Sequence, residues 1–121
     1  MKPFPVICIV DDDVDVRASL ENYLRSAGLQ VRSFDSAEAF LASPERLGTD
    51  CLITDLHMPG IDGLALQEEL NRLGRAFPVI VMTAFPTRGA RDRSAALGAA
   101  AFLVKPVDPD MLLDRIVEML Q

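Results

Sequence analysis

The chain has 121 residues, half of them hydrophobic and a quarter charged, which suits one globular domain over 1–121 and leaves little room for a second. A formal net charge of −6 argues against nucleic acid as a partner of this chain. Its apolar runs are too short to cross a bilayer and no secretory pattern opens it, so the expectation is cytoplasmic residence without membrane contact.

The run Val6–Val10 is rich in β-branched residues and reads as a strand buried on both faces. Three aspartates, Asp11, Asp12 and Asp13, follow it directly. Like charges at the end of a buried strand are costly unless something positive sits among them. Asp13 is expected to begin the next helix, where a negative charge is mildly favourable. In that helix Val16, Leu20, Tyr23, Leu24 and Ala27 recur at helical spacing, and Gly28 supplies the stop. A short strand over Gln30–Phe34 comes next, and Ser36 is placed to cap a short helix carrying Ala37, Phe40 and Leu41.

A further buried strand, Cys51–Thr54, ends at Asp55. Loop residues Met58-Pro59-Gly60 and Asp62-Gly63 lead into a helix with Leu66, Leu70 and Leu73 on one face. Val79–Met82 is again a buried strand, ending at Thr83. The helix predicted over Arg88–Leu97 is weakened at its start by Pro86 and Gly89 and closed by Gly98. Its Arg88, Arg91 and Arg93 read as a solvated face. The last strand, Ala101–Val104, runs into Lys105-Pro106, and the last helix opens with Asp108 as N-cap and Pro109 at its first position. Leu112, Leu113, Ile116, Val117 and Leu120 form its apolar face. Cys8 and Cys51 lie inside apolar strands without partners at metal-ligand spacing, and read as small buried hydrophobes.

Five strand–helix units in succession imply an α/β fold, a five-stranded parallel sheet with helices on both faces. Right-handed crossovers then put the functional crevice at the carboxyl ends of the strands. Asp11, Asp12, Asp55, Thr83 and Lys105 each stand at such an end and should converge on one edge. Three carboxylates against one ammonium favour a hard divalent cation such as Mg²⁺. A metal, a lysine and a hydroxyl together suit phosphoryl groups. His57 is the single histidine, which does not suggest zinc.

The motifs VDD at 10–12, TDLHMPGIDG at 54–63, MTA at 82–84 and FLVKP at 102–106 stand in this order and spacing. On them the chain resembles, over essentially its full length, the receiver domains of two-component response regulators. SFDSAEAFL at 33–41 is most similar to the subfamily of nitrogen-fixation and related transcriptional regulators. The resemblance implies a flavodoxin-like (βα)5 sheet in order 2-1-3-4-5. It makes Asp55 the phosphoacceptor for a sensor histidine kinase, and Lys105 the lysine that pairs with phosphoryl oxygens. Asp12 becomes the direct Mg²⁺ ligand, with Asp11 acting mainly through water and the His57 backbone carbonyl completing the set with Asp55. Thr83 resembles the switch hydroxyl and Phe102 the aromatic that changes rotamer with it, while a cis peptide is implied at Lys105-Pro106.

By the same resemblance the domain is a switch rather than an enzyme. It stands alone or precedes a DNA-binding output domain outside this sequence. Ala101 replaces a frequent aspartate, which argues against a dimer built on charge pairs across the last strands and helices. Phe85 and His57 occupy positions that tune dephosphorylation in the family, and bulky Phe85 is expected to lengthen the phosphorylated lifetime. Two other classes stay open on the residues alone. A Mg²⁺-dependent phosphohydrolase using Asp55 would need a general acid, for which His57 is the candidate nearby in sequence. A flavodoxin-like nucleotide or FMN module would need a phosphate loop after the first strand, where aspartates stand instead.

Overall fold

The structure is a computed structural model and describes residues 4–121. The chain alternates as expected: β1 (Val6–Val10), α1 (Val14–Ser26), β2 (Gln30–Phe34), α2 (Ala37–Ala42), β3 (Cys51–Asp55), α3 (Gly63–Arg72), β4 (Val79–Thr83), α4 (Arg88–Ala96), β5 (Ala101–Val104) and α5 (Pro109–Leu120). The five strands form one sheet in the order β2-β1-β3-β4-β5, and every neighbouring pair is parallel. Every residue of β3 and β4 is buried, which is why both read as unbroken apolar runs.

Alternate residues of each strand face opposite sides of the sheet and build two cores. Cys8, Val10, Leu52, Val79 and Val81 pack with Phe40, Leu66 and Leu70, under α2, α3 and α4. Ile7, Ile9, Cys51, Ile53, Ile80 and Met82 pack with Leu20, Leu24, Leu112 and Ile116, under α1 and α5. The first core holds an aromatic group, with Phe40 meeting Phe34 and Phe77 edge-on at ring distances of 5.3 and 6.5 Å. Both cysteines are buried and free, and Cys8 Sγ touches Thr49 Oγ1 at 3.2 Å.

Polar side chains start the helices. Asp13, Ser36, Asp62, Thr87 and Asp108 each accept from backbone N–H groups of the first turn of α1, α2, α3, α4 and α5. Three features depart from the sequence reading. A 3₁₀ turn over Pro44–Gly48, capped by Ser43, fills the link to β3. Leu73 is the 43 % exposed C-cap of α3, while Gln67 takes a fully buried place on that helix. Among the described residues of α4, Ser94 alone is buried.

The turn between β3 and α3 is drawn tight behind Asp55. The Gly63 N–H donates to the Leu56 carbonyl at 2.9 Å. A Cβ on Gly63 would lie 2.6 Å from the Asp55 carbonyl oxygen and 2.9 Å from Leu56 Cα, both backbone atoms that cannot turn aside. Gly63→Ala is therefore expected to destabilise the domain by about 1–3 kcal/mol, the range for overpacking. Urea unfolding should show a lower midpoint with an unchanged slope, and a variant as stable as the native chain would contradict this contact.

Candidate functional site

The carboxyl ends of β1, β3, β4 and β5 bring Asp11, Asp55, Thr83 and Lys105 together because the sheet order makes these strands consecutive neighbours. Lys105 Nζ lies 2.9 Å from Asp11 Oδ2 and 3.4 Å from Asp55 Oδ1. Asp11 is fully buried and Asp55 is 6 % exposed, whereas Asp12 is open to solvent. One oxygen from each of Asp11, Asp12 and Asp55 can be chosen so that all three lie within 4.8 Å of one another. Three oxygen donors at that separation, with negative charge in excess, match the needs of a hard divalent cation.

Backbone bonds fix the frame. Asp11 N–H donates to the Phe34 carbonyl at 3.1 Å, Leu56 N–H to Met82 at 2.8 Å and Lys105 N–H to Thr83 at 2.8 Å. Asp11 Oδ1 accepts from the Asp13 N–H at 2.9 Å, while its Oδ2 accepts from Lys105. Arg17 Nη1 donates to the Asp11 carbonyl at 2.6 Å, a support across one helical turn that sequence pattern did not single out. The Lys105-Pro106 bond is cis, as the resemblance implied.

The electrostatics follow from this packing. Burial raises the Asp55 pKa, and the Asp11 charge raises it further against the opposing pull of Lys105 and the His57 N–H. Burial works to lower the Lys105 pKa, but the hydrogen bond and charge of Asp11, and then Asp55, outweigh it and the net shift is upward. The ammonium is thus held charged while the Asp55 carboxylate sits in a place that disfavours its own charge.

Thr83 is buried, and its Oγ1 accepts from the Phe85 N–H at 3.0 Å. Phe85 is 73 % exposed, with its ring edge-on to His57 at 6.1 Å. The exposed His57 ring reaches the Phe85 carbonyl through Nε2 at 3.5 Å. Phe102 is half-buried against the first core, two residues before Val104, the Cα partner of Thr83. Arg88, Arg91 and Arg93 of α4 are all exposed, as expected of a solvated face, and each still has a neighbour. The Arg91 guanidinium lies 4.7 Å over the Phe102 ring, Arg93 reaches Glu68 at 3.1 Å and Arg88 reaches Asp92 at 3.8 Å.

The family model described as the response regulator receiver domain matches residues 7–117. The chain belongs to this family, and as a receiver of two-component response regulators it is a phosphorylation switch. It is 46 % identical over 108 residues to the transcriptional regulatory protein FixJ of Azorhizobium caulinodans, covering 89 % of this chain and 51 % of that one. It is 39 % identical over 112 residues to nodulation protein W of Bradyrhizobium diazoefficiens, covering 93 % and 49 %. The crystal structure of FixJ-N superposes with a TM-score of 0.85 at 33 % identity, over 99 % of this chain and 94 % of that one. The chain spans about half the length of the curated relatives it matches. No helix among the described residues is long and apolar enough to cross a membrane.

The raised Asp55 pKa carries a sign for stability. A carboxyl whose folded pKa lies above its unfolded value favours folding while protonated, and that contribution is lost as pH rises through the folded pKa. At neutral pH, in chelator, Asp55→Asn should therefore raise the melting temperature by a few degrees. The gain should shrink as pH falls toward the ordinary value of 3.8, where the native residue is itself neutral. A variant that melts lower than the native chain at neutral pH would mean that the pairing of Asp55 with Lys105 outweighs burial.

Proposed function

We propose that Asp55 is the phosphoacceptor and that a sensor histidine kinase is the donor. The observation that carries the reading is the placement of Lys105 Nζ between a fully buried Asp11 and a nearly buried Asp55, at 2.9 and 3.4 Å. A carboxylate in excess of its positive partners, at the open edge of a parallel sheet, is a nucleophile with a cation site beside it. In the transfer an Asp55 oxygen attacks the phosphorus of phosphohistidine. A P–O bond forms, the P–N bond breaks, and the imidazole leaves with the electron pair and takes a proton from solvent.

Asp11, Asp12, Asp55 and the backbone carbonyl of His57 would hold Mg²⁺, which when bound supplies neutralising charge to phosphoryl oxygens. Lys105, already charged and aimed at Asp55, holds another phosphoryl oxygen. The Thr83 hydroxyl, now accepting from Phe85, turns to donate to the phosphoryl group, and Phe102 moves with it. The acyl phosphate shifts a pre-existing equilibrium between two surfaces and acts on no external substrate.

The domain spans 1–121, and we place it in the cytoplasm, within a longer regulator that carries a DNA-binding output domain. Support comes from the half-length match to relatives named transcriptional regulatory proteins. The net charge of −6 speaks against nucleic acid as a partner of this part.

Acetyl phosphate with Mg²⁺ should add one phosphoryl group of about 80 Da to the native chain, read by intact mass. The adduct should vanish without Mg²⁺ and in Asp55→Asn, and Lys105→Ala should slow its formation by at least an order of magnitude. An adduct that survives Asp55→Asn would name another nucleophile, and sustained turnover of phosphate esters would favour a phosphohydrolase. Phe85→Glu, which replaces the exposed ring beside His57 by a carboxylate able to position water, should shorten the phosphorylated lifetime several-fold. An unchanged lifetime would remove Phe85 from that role.

A further inference from the structure

Of the three carboxylates at the site, Asp12 is the one that no other side chain holds. It is exposed, and among the described residues its carboxylate has no hydrogen-bond partner. Asp11 and Asp55 are both held by Lys105. The direction of the Asp12 side chain is therefore set by the two peptide groups that flank it, and both of these are fixed. The peptide after Asp12 gives its N–H, that of Asp13, to Asp11 Oδ1 at 2.9 Å. The peptide before it presents its carbonyl, that of Asp11, to Arg17 Nη1 at 2.6 Å.

Arg17 reaches that carbonyl because of where α1 begins. Side chains on a helix lean toward its N-terminus, and half-buried Arg17 closes the first turn of α1, with its N–H on the Asp13 carbonyl at 3.1 Å. Asp13 caps the same turn on the Asp15 and Val16 N–H groups, so the guanidinium folds back from a fixed start. Charge alone would not put an arginine here. A cation at a helix N-terminus opposes the dipole, and one beside a cation site repels the metal. The placement supplies geometry instead. With Arg17 in place every polar atom of Asp11 is bonded, since its N–H donates to the Phe34 carbonyl at 3.1 Å and its Oδ2 accepts from Lys105 at 2.9 Å.

We propose that Arg17 is a positioning residue for the cation site. By fixing the Asp11–Asp12 peptide it sets where the Asp12 carboxylate stands among the three oxygen donors, which can lie within 4.8 Å of one another. This role rests on the reading of Asp11, Asp12 and Asp55 as Mg²⁺ ligands. Arg17 touches neither the metal nor the phosphoryl group and acts through Asp12. Losing it has two consequences of opposite sign. Removal of its charge favours the metal, whereas release of the peptide leaves Asp12 to be ordered when the metal binds. Geometry outweighs charge here, because an exposed carboxylate with no partner of its own has only these two peptide anchors.

The test is a magnesium chloride titration of the domain after chelator treatment, followed by NMR through the amides of Asp12, Asp13 and Asp55. Arg17→Met and Arg17→Gln both remove the charge, and both should weaken Mg²⁺ binding by about tenfold, the lower end for loss of a group that orients a metal ligand. Arg17→Lys, which keeps the charge and a donor, should fall between these variants and the native chain. An affinity in Arg17→Met or Arg17→Gln equal to or tighter than the native one would overturn the role, since charge would then decide. A loss of affinity accompanied by shifted amides throughout the sheet would assign the effect to the fold and overturn it as well. If magnesium moves none of these amides in the native chain, the cation reading falls and the role of Arg17 with it. If magnesium moves them and the variants keep the native affinity, the cation reading stands and Arg17 alone is struck out.

Discussion

The buried carboxylates at the end of β1 and β3 are the constraint around which this domain is arranged. Asp11 is out of water and Asp55 nearly so, and a single-residue slip of either strand would carry them to the other face. Removing a carboxylate from water costs several kcal/mol unless charge or hydrogen bonds compensate it. Lys105 supplies that compensation, but one ammonium faces two carboxylates, with Asp12 at the rim. The imbalance leaves the pocket in need of positive charge. That is the physical reason the three carboxylates together suit a cation.

The rest of the fold fixes this imbalance in place. Two cores, one on each face of the sheet, lock the strand registers, and buried β3 and β4 allow no slack between Asp55 and Thr83. Lys105 arrives from β5, with its N–H bonded to the Thr83 carbonyl, so the ammonium, the Thr83 hydroxyl and the Asp55 carboxylate share one edge of the sheet. Gly63 closes the loop behind Asp55 against backbone atoms, which holds the end of β3 close to the start of α3. A site that works by electrostatic placement needs such a frame, because a small displacement changes every interaction in it.

Much of this was legible in the chain, and the reason is physical. Strands buried on both faces leave uninterrupted β-branched runs, so their ends, and the polar residues at them, can be read directly. The topology rule then gathers Asp11, Asp12, Asp55, Thr83 and Lys105 without any knowledge of the contacts. Periodicity fails where an element is held by polar side chains. Gln67 occupies a buried place on α3 that apolar spacing assigned to Leu73, because its amide is needed against the Ser94 carbonyl. Arg91 is exposed, as its sequence setting implies, but its place 4.7 Å over the Phe102 ring depends on how α4 lies against β5 and carries no sequence signal. The 3₁₀ turn at Pro44–Gly48 carries no periodic signal at all.

The same contrast sets α4 apart from the other long helices. α1, α3 and α5 each bury two or more residues in a core, so displacing them would expose apolar surface at roughly 25 cal/mol per Å². α4 buries Ser94 and otherwise leans on hydrogen bonds to α3, which can be exchanged for water at a small net cost. A segment with few apolar contacts is drawn from the low end of local stability, where a modest input suffices to shift it. The weak amphipathic pattern of that helix, which makes it hard to read in sequence, reflects the same shortage of apolar contacts.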